Sequence, residues 1–182
     1  MLPLAARPDL DGGEELAPGV VACGGRVFKE IVPGDPALLR QVVESLSRLR
    51  HPGLARVEGW VEAEGRFWVV MERVPGRTLE EEIRARAPLS AGQAAGWTAD
   101  LCGALDYLVE QGRPEMLLAL SPDHVMVTPE GHLKLINYGL SRPGQPVPPG
   151  AGQAALGRIL ARLAGGSAQE GASGLPADLA WI

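Results

Sequence analysis

The stretch LKLINYGLSRP, from Leu133 to Pro143, is the part of the sequence on which the fold assignment depends. Leu133, Leu135 and Tyr138 alternate with polar or small residues, a pattern typical of a half-buried strand, and Gly139 supplies a turn. The preceding residues HVMVTPEGH add a β-rich run and a Pro-Glu-Gly turn signal. The two runs predict a β-hairpin, with Asn137 at its exit.

Upstream of this hairpin, turn and capping signals predict a set of strands that brackets one helix. VVACGGRVFKEIV reads as a hairpin around a Gly-Gly pair, and LARVEGWVEAEGRFWVVMERV as two strands joined at Glu64-Gly65. Between them, Asp35 is the predicted N-cap of a helix and Pro36 its first residue. The apolar stripe predicted for this helix consists of Leu39, Val42, Leu46 and Leu49.

The second half of the chain is predicted to be mostly helical. Thr78 with Glu81, and Ser90 with Gln93, have capping-box spacing and open two helices. The inward face of the longer helix is expected to hold Ala94, Trp97, Leu101, Leu105 and Leu108. A last helix is predicted at QAALGRILARLAGG, beyond a Pro/Gly-rich loop from Pro143 to Gly152.

Composition limits the classes of function. The 182 residues, 46% of them hydrophobic, suffice for one domain or two small lobes, and the formal net charge is −5. Because phosphate-backbone binding needs clustered Lys and Arg, no nucleic-acid partner is expected. No apolar run is long enough to span a bilayer, so no membrane insertion is expected. Cys23 and Cys102 lack metal-ligand spacing and indicate free thiols in a reducing cytoplasm, and no metal site is predicted.

Several strings, in this order, resemble the protein kinase fold. They are VFKEI, LSRLRHPGLARVEG, FWVVMERVPGRTLEEEI, LDYLVEQG and LSPDHVMVTPEGHLKLINYGLSR, with QAALGRILARLAGG as a looser match. The resemblance implies an α+β, bilobal, kinase-like fold with a sheet-rich N-lobe and a shortened helical C-lobe. The implied boundaries are an N-terminal extension at 1–18, read as a frayed terminus, the N-lobe at 19–74, a truncated C-lobe at 75–166 and a tail at 167–182. The Ala-, Gly-, Pro- and Arg-rich usage with few lysines indicates a GC-rich bacterial genome. The resemblance then implies a degenerate bacterial Ser/Thr pseudokinase with a truncated C-lobe.

Kinase chemistry depends on positioned charge, so each part of its apparatus can be compared with this sequence. The resemblance places the strand lysine at Lys29, one of only two lysines in the chain, for which an ordinary surface lysine is the competing interpretation. The glutamate that pairs with this lysine in the family falls on Val42. Glu44 is two positions further, which turns a side chain by about 200°, away from the stripe. No G-x-G-x-x-G precedes Lys29 at the family's distance.

The catalytic positions are also altered. The family's H-R-D-L-x-x-x-N aligns with Leu117 to His124, which places Ala119 at the catalytic base, Ser121 at the lysine that often follows and His124 at the metal-binding asparagine. Asn137 stands at the aspartate that binds Mg²⁺ beside ATP. Alanine cannot accept a proton, imidazole is a poor ligand for a hard cation, and an amide brings no charge. The degenerate positions imply a pseudokinase that is not an enzyme.

Three interpretations stay open at this stage. The first is a catalytically inactive kinase-like domain, a binding, scaffolding or regulatory module with a protein partner and no cofactor. The second is a residual nucleotide binder or very weak atypical kinase that holds ATP without Mg²⁺ through Lys29 and the hinge residues Met71, Glu72 and Val74. The third is a structural subunit of a larger assembly, with the helix around Leu156, Ile159, Leu160 and Leu163 and the terminal Trp181-Ile182 as candidate contacts.

Overall fold

A computed structural model describes residues 12–32, 35–63, 65–86, 88–113, 116, 120–140, 148 and 150–163. By its contacts the chain divides into two units, Met1–Val74 and Pro75–Ile182. The predicted α+β class, with a sheet-rich first part and a mainly helical second part, is confirmed. The predicted bounds at residues 18 and 166 stay predictions. Ala119, Trp181, Ile182 and the predicted tail at 167–182 lie outside the described residues.

The first unit is built on a five-stranded antiparallel sheet. Its strands are β1 (Glu14–Ala17), β2 (Val20–Cys23), β3 (Arg26–Ile31), β4 (Val57–Ala63) and β5 (Arg66–Glu72), and their order in the sheet is β1-β2-β3-β5-β4. Both predicted strand pairs are present, and the left-handed φ of Gly24, Gly25 and Gly65 explains why glycine occupies these turns. The sequence did not predict β1, whose residues were expected to be a frayed terminus.

One helix, α1 (Pro36–Leu46), accompanies this sheet and packs near β4. The side chain of Asp35 accepts hydrogen bonds from the backbone N–H groups of Ala37 at 2.9 Å and Leu38 at 3.3 Å, so the predicted cap is confirmed. The predicted stripe needs one correction. Val43 is buried and Val42 is only half-buried, because the stripe steps four residues from Leu39 rather than three.

The described residues of the second unit form three α-helices, a 3₁₀ turn and a small sheet. The helices are α2 (Leu79–Arg86), α3 (Ala91–Glu110) and α4 (Ala151–Leu163), and the strands are β6 (Arg77–Thr78), β7 (Val125–Val127) and β8 (Leu133–Leu135), with β7 in the middle. The predicted hairpin is therefore β7–β8, whereas the two-residue β6 was not predicted. Gly76 directly before it has φ +122, and a Cβ there would lie 1.9 Å from the carbonyl oxygen of Val127.

Caps and ion pairs to buried carboxylates hold these helices in place. Thr78 and Glu81 form the reciprocal capping box that opens α2, and Ser90 accepts from the backbone N–H of Gln93 at the start of α3. The buried carboxylate of Glu80 on α2 accepts from Arg162 on α4 through two nitrogens, one of them at 2.7 Å. This fork-like contact joins the last described helix to the beginning of the unit.

Helix α3 supports the β7–β8 hairpin from one side. The indole N–H of Trp97 donates to the carbonyl oxygen of Gly131 at 2.9 Å, and Asp100 accepts from the backbone N–H of Leu133 at 3.0 Å. Four of the five residues predicted to face inward on α3 are buried, and the fifth, Ala94, is half-buried. Ala104 is also buried and was not predicted. The hairpin that carries Asn137 is thus fixed by polar contacts as well as by its own ladder.

The apolar face of α4 is largely covered. Ile159 and Leu163 are buried and Leu156 and Leu160 are half-buried, while α4 packs against α3. Ile159 and Leu163 therefore serve the core rather than a free surface. Cys23 and Cys102 are both half-buried and form no disulfide. Among the described residues, no helix combines the length and apolarity needed to cross a membrane.

Candidate functional site

The two side chains predicted at metal-binding positions are hydrogen-bonded to each other. Asn137 is buried, with 6% of its surface exposed, and its Nδ2 lies 3.1 Å from Nε2 of the half-buried His124. An amide and an imidazole can share one hydrogen bond between these positions, with the donor set by the histidine tautomer and the amide orientation. The sequence analysis named both residues but did not predict this contact.

Backbone bonds set the distance between them. A 3₁₀ turn, Pro122–His124, begins after Ser121, whose carbonyl oxygen accepts from the N–H of His124 at 3.0 Å. The carbonyl oxygen of His124 accepts from the N–H of Ile136 at 2.9 Å, immediately before Asn137. The turn before β7 and the exit of β8 are therefore brought together by the chain's own hydrogen bonds. Ser121 is half-buried at the start of this turn.

In the first unit, Lys29 lies on an aliphatic part of the sheet. It is 8% exposed, and in the strand register it stands between Val20 on β2 and Val69 on β5. Desolvation lowers the pKa of its ammonium group from 10.5 to about 8. The competing interpretation of Lys29 as a surface lysine is wrong, because the residue is buried.

Val42, which the resemblance aligns with the family's glutamate, lies on α1, and that alignment stays a prediction. Val42 is half-buried at the edge of the stripe. Glu44 accepts a hydrogen bond from Arg48, Oε1 to Nη2 at 3.0 Å, one turn further along the helix. This i,i+4 pair is a typical helix-surface interaction.

The hinge residues follow directly from β5. Met71 and Glu72 end the strand, Met71 is buried, and the N–H of Glu72 donates to the carbonyl oxygen of Arg56 at 2.9 Å. Val74 is buried at the end of the first unit.

The connection between β1 and β2 is a short turn at Pro18-Gly19, where Gly19 has φ +70.

Comparison with known proteins identifies the family. Residues 30–148, more than half of the chain, match the family model described as protein kinase domain. The chain therefore belongs to the protein kinase domain family.

The matched relatives are serine/threonine and related kinases. The chain is 31% identical over 102 residues to the serine/threonine-protein kinase RUNKEL of Arabidopsis thaliana, covering 56% of this chain and 7% of that protein. It is 31% identical over 106 residues to sperm motility kinase 2B of Mus musculus, covering 57% and 22%. It is 26% identical over 100 residues to 3-phosphoinositide-dependent protein kinase 1 of Arabidopsis thaliana, covering 55% and 20%. The matched segment thus spans less than a quarter of each of these relatives.

The family implies Mg²⁺ beside the nucleotide, and the donor set observed here does not fit that ion. Mg²⁺ prefers oxygen ligands with charge, whereas His124 and Asn137 offer an imidazole nitrogen and an uncharged amide that are bonded to each other. Among the described residues no cluster of three or more His, Cys, Asp or Glu could hold a metal ion. We therefore propose no metal-dependent step at His124 and Asn137.

One charged cluster near the 3₁₀ turn was missed by the sequence analysis. Arg162 hydrogen-bonds Glu80, and this contact lowers the pKa of the Glu80 carboxyl and raises the pKa of the Arg162 guanidinium. Asp123, exposed in the turn, adds a further favourable charge for Arg162. One feature of the sequence could have indicated this cluster. Glu80 is a charged residue on the side of α2 that carries buried apolar residues, so it needs a partner of opposite charge.

Proposed function

We propose that this chain is a kinase-family domain without phosphoryl transfer, which acts as a binding, scaffolding or regulatory module for a protein partner. The observation that carries the proposal is the hydrogen bond between His124 and Asn137, which joins the two positions where the family holds its metal ligands. Ala119 at the position of the catalytic base supports it from the sequence. The free thiols of Cys23 and Cys102 favour a cytoplasmic location.

The physical argument concerns charge. Phosphoryl transfer is catalysed almost entirely by positioning and by stabilisation of charge on the transferring group and its metal ions. An amide in place of a carboxylate removes one negative charge that would offset the desolvation of the cation. An alanine removes the acceptor of the substrate proton. These losses affect separate steps of one reaction, so no single remaining group compensates for them.

The test is a transfer assay with radiolabelled ATP. The purified full chain is incubated with γ-labelled ATP, with Mg²⁺ or Mn²⁺, and with a panel of Ser-, Thr- and Tyr-containing protein acceptors. We expect incorporation no higher than that of the matched Lys29→Met variant. Incorporation by the native chain that the Lys29→Met substitution abolishes would refute the proposal, because it would show transfer that depends on the strand lysine.

A second function, nucleotide binding without transfer, is favoured by the position of Lys29. A buried lysine on β3 and a regular end of β5 at Met71 and Glu72 retain the parts of the first unit that contact a nucleotide in the family. The measurement is the thermal shift on titration with ATP in the presence of Mg²⁺ or of EDTA. A saturable shift that persists in EDTA supports metal-free binding, and no shift at millimolar ATP eliminates this function.

The third function is that of a structural subunit. The half-buried Leu156 and Leu160 on α4 are the described residues that favour it. Size-exclusion chromatography with light scattering on the isolated chain distinguishes the outcomes. A well-behaved monomer argues against an obligate assembly, whereas aggregation relieved by Leu156→Gln would support one.

A further inference from the structure

The pair His124–Asn137 connects two segments that meet at one edge of the β7–β8 hairpin. His124 ends the 3₁₀ turn before β7, and Asn137 follows β8 by two residues. The backbone bond from Ile136 to His124 already makes one link between them. The side-chain bond at 3.1 Å is a second, parallel link that needs no ion.

The pair is a poor site for a divalent cation. The hydrogen bond occupies Nε2 of His124, and Asn137 could offer a cation only its uncharged amide oxygen. A cation could reach Nε2 only if the bond broke, which would leave the buried amide of Asn137 without this partner. Loss of a partner by a buried polar group is unfavourable, and Mg²⁺ gains little from imidazole in return.

We infer that the hydrogen bond between His124 and Asn137 is a metal-independent brace, which ties the turn before β7 to the exit of β8 and keeps divalent cations from this position. This inference rests on the proposed function. A domain that binds a protein partner without phosphoryl transfer needs a fixed surface and not a bound ion.

A double-mutant cycle tests the brace. The unfolding equilibrium constant of the full chain is measured by urea denaturation for the native protein, His124→Ala, Asn137→Ala and the double variant. We expect a coupling of about 2- to 12-fold in that constant, the range of one net hydrogen bond. The matched control combines Asn137→Ala with His132→Ala, a histidine of the same hairpin that contacts Asp100 instead, and should be additive. Additivity within error for His124 and Asn137 would overturn the inference.

Two spectroscopic measurements cover the case in which a variant does not fold. Nitrogen-15 NMR of the native chain should show a scalar coupling across a hydrogen bond between Nε2 of His124 and the side-chain amide of Asn137, and an Nε2 bonded only to solvent would contradict the brace. Mn²⁺, followed by electron paramagnetic resonance with and without ADP, should find no saturable site in the native chain. A one-to-one Mn²⁺ site that Asn137→Ala removes would overturn the exclusion of cations.

The outcomes separate the two proposals. The cycle and the NMR measurement contain no nucleotide, so they test the brace whether or not the chain transfers phosphoryl groups. Phosphoryl transfer together with intact coupling would refute the proposed function alone. Additivity together with no transfer would refute the brace alone.

Discussion

Replacing Lys29 by methionine is expected to stabilise the protein at neutral pH. The substitution removes a buried ammonium group and keeps a flexible side chain of similar length. Burial lowers the pKa of Lys29 from 10.5 to about 8, a difference of about 2.5 pH units. At about 1.36 kcal/mol per unit, the charged form is disfavoured in the folded state by up to about 3.4 kcal/mol. Imperfect packing of methionine between Val20 and Val69 reduces the gain, and so does loss of the interaction that the Lys29 side chain makes in the folded state. We therefore expect a net gain of about 0.5–2 kcal/mol at pH 7.

The pH dependence identifies the cause. Because the folded-state pKa of Lys29 lies below its unfolded value, the unfolded chain binds more protons between about pH 8 and pH 10.5. The contribution of Lys29 to the free energy of unfolding therefore rises with pH across this window. Below pH 8 the full desolvation penalty of the charged ammonium group is present. The Lys29→Met variant lacks this contribution. Its advantage over the native chain should shrink steadily from pH 8 to pH 10.5.

The assay is urea denaturation of both proteins at pH 7, 8.5 and 10, compared as a difference so that other titrating groups cancel. Lys134→Met is the matched control, since Lys134 is the other lysine of the chain and is half-buried in β8. A Lys29→Met variant that is less stable than the native chain at pH 7 by more than 1 kcal/mol would refute the reasoning. A stability difference that does not change with pH would refute it as well.

Three further substitutions have expected effects on the free energy of unfolding, each measurable by urea denaturation. Arg162→Met removes the main partner of the buried carboxylate of Glu80, which keeps its contact with Arg84 at 2.9 Å, and should cost about 1.5–3 kcal/mol. Because Arg162 lowers the pKa of Glu80, this contribution is present above pH 4.5 and is lost as the pH falls through the lower folded value, so the variant should unfold at higher pH on acidification. Asp35→Ala removes the cap of α1 and should cost about 1 kcal/mol. Gly76→Ala should cost more than about 3 kcal/mol, since its Cβ would lie 1.9 Å from the carbonyl oxygen of Val127 and its φ is +122.

Each of these has a control within the chain. Arg48→Met removes the surface pair with Glu44 and should change stability by less than about 0.5 kcal/mol, so an equal loss at Arg162 would contradict the role of burial. Asp35→Ser keeps a capping oxygen and should be close to neutral. Gly112→Ala tests a left-handed glycine with open space around it, and a loss as large as at Gly76 would contradict the steric argument.

Local signals in the sequence predicted local structure well. Three local features were predicted together with their structural roles, because each depends on residues within a few positions of each other. They are the Asp35 cap, the capping box of Thr78 and the glycine turns. The choice between Val42 and Val43 was wrong because both fit a helical period. Only the packing of α1 against the sheet decides between them.

Contacts between distant residues could not be predicted in the same way. The sequence indicated that His124 and Asn137 each replace a metal-binding residue of the family. Their mutual hydrogen bond could not be predicted, because it depends on how the hairpin returns to the 3₁₀ turn. The burial of Lys29 likewise depends on its neighbours across two strands, Val20 and Val69. Strand β1 was missed because its residues alternate weakly and acquire their conformation from pairing with β2.

The buried amide of Asn137 also matters for handling the protein. It is the sole asparagine among the 182 residues. Deamidation of this amide during storage, which is ordinary asparagine ageing, would yield isoaspartate together with aspartate, the acid that the family resemblance places at this position. An aged preparation would then contain several chemical species, and intact-mass analysis should precede any search for residual activity.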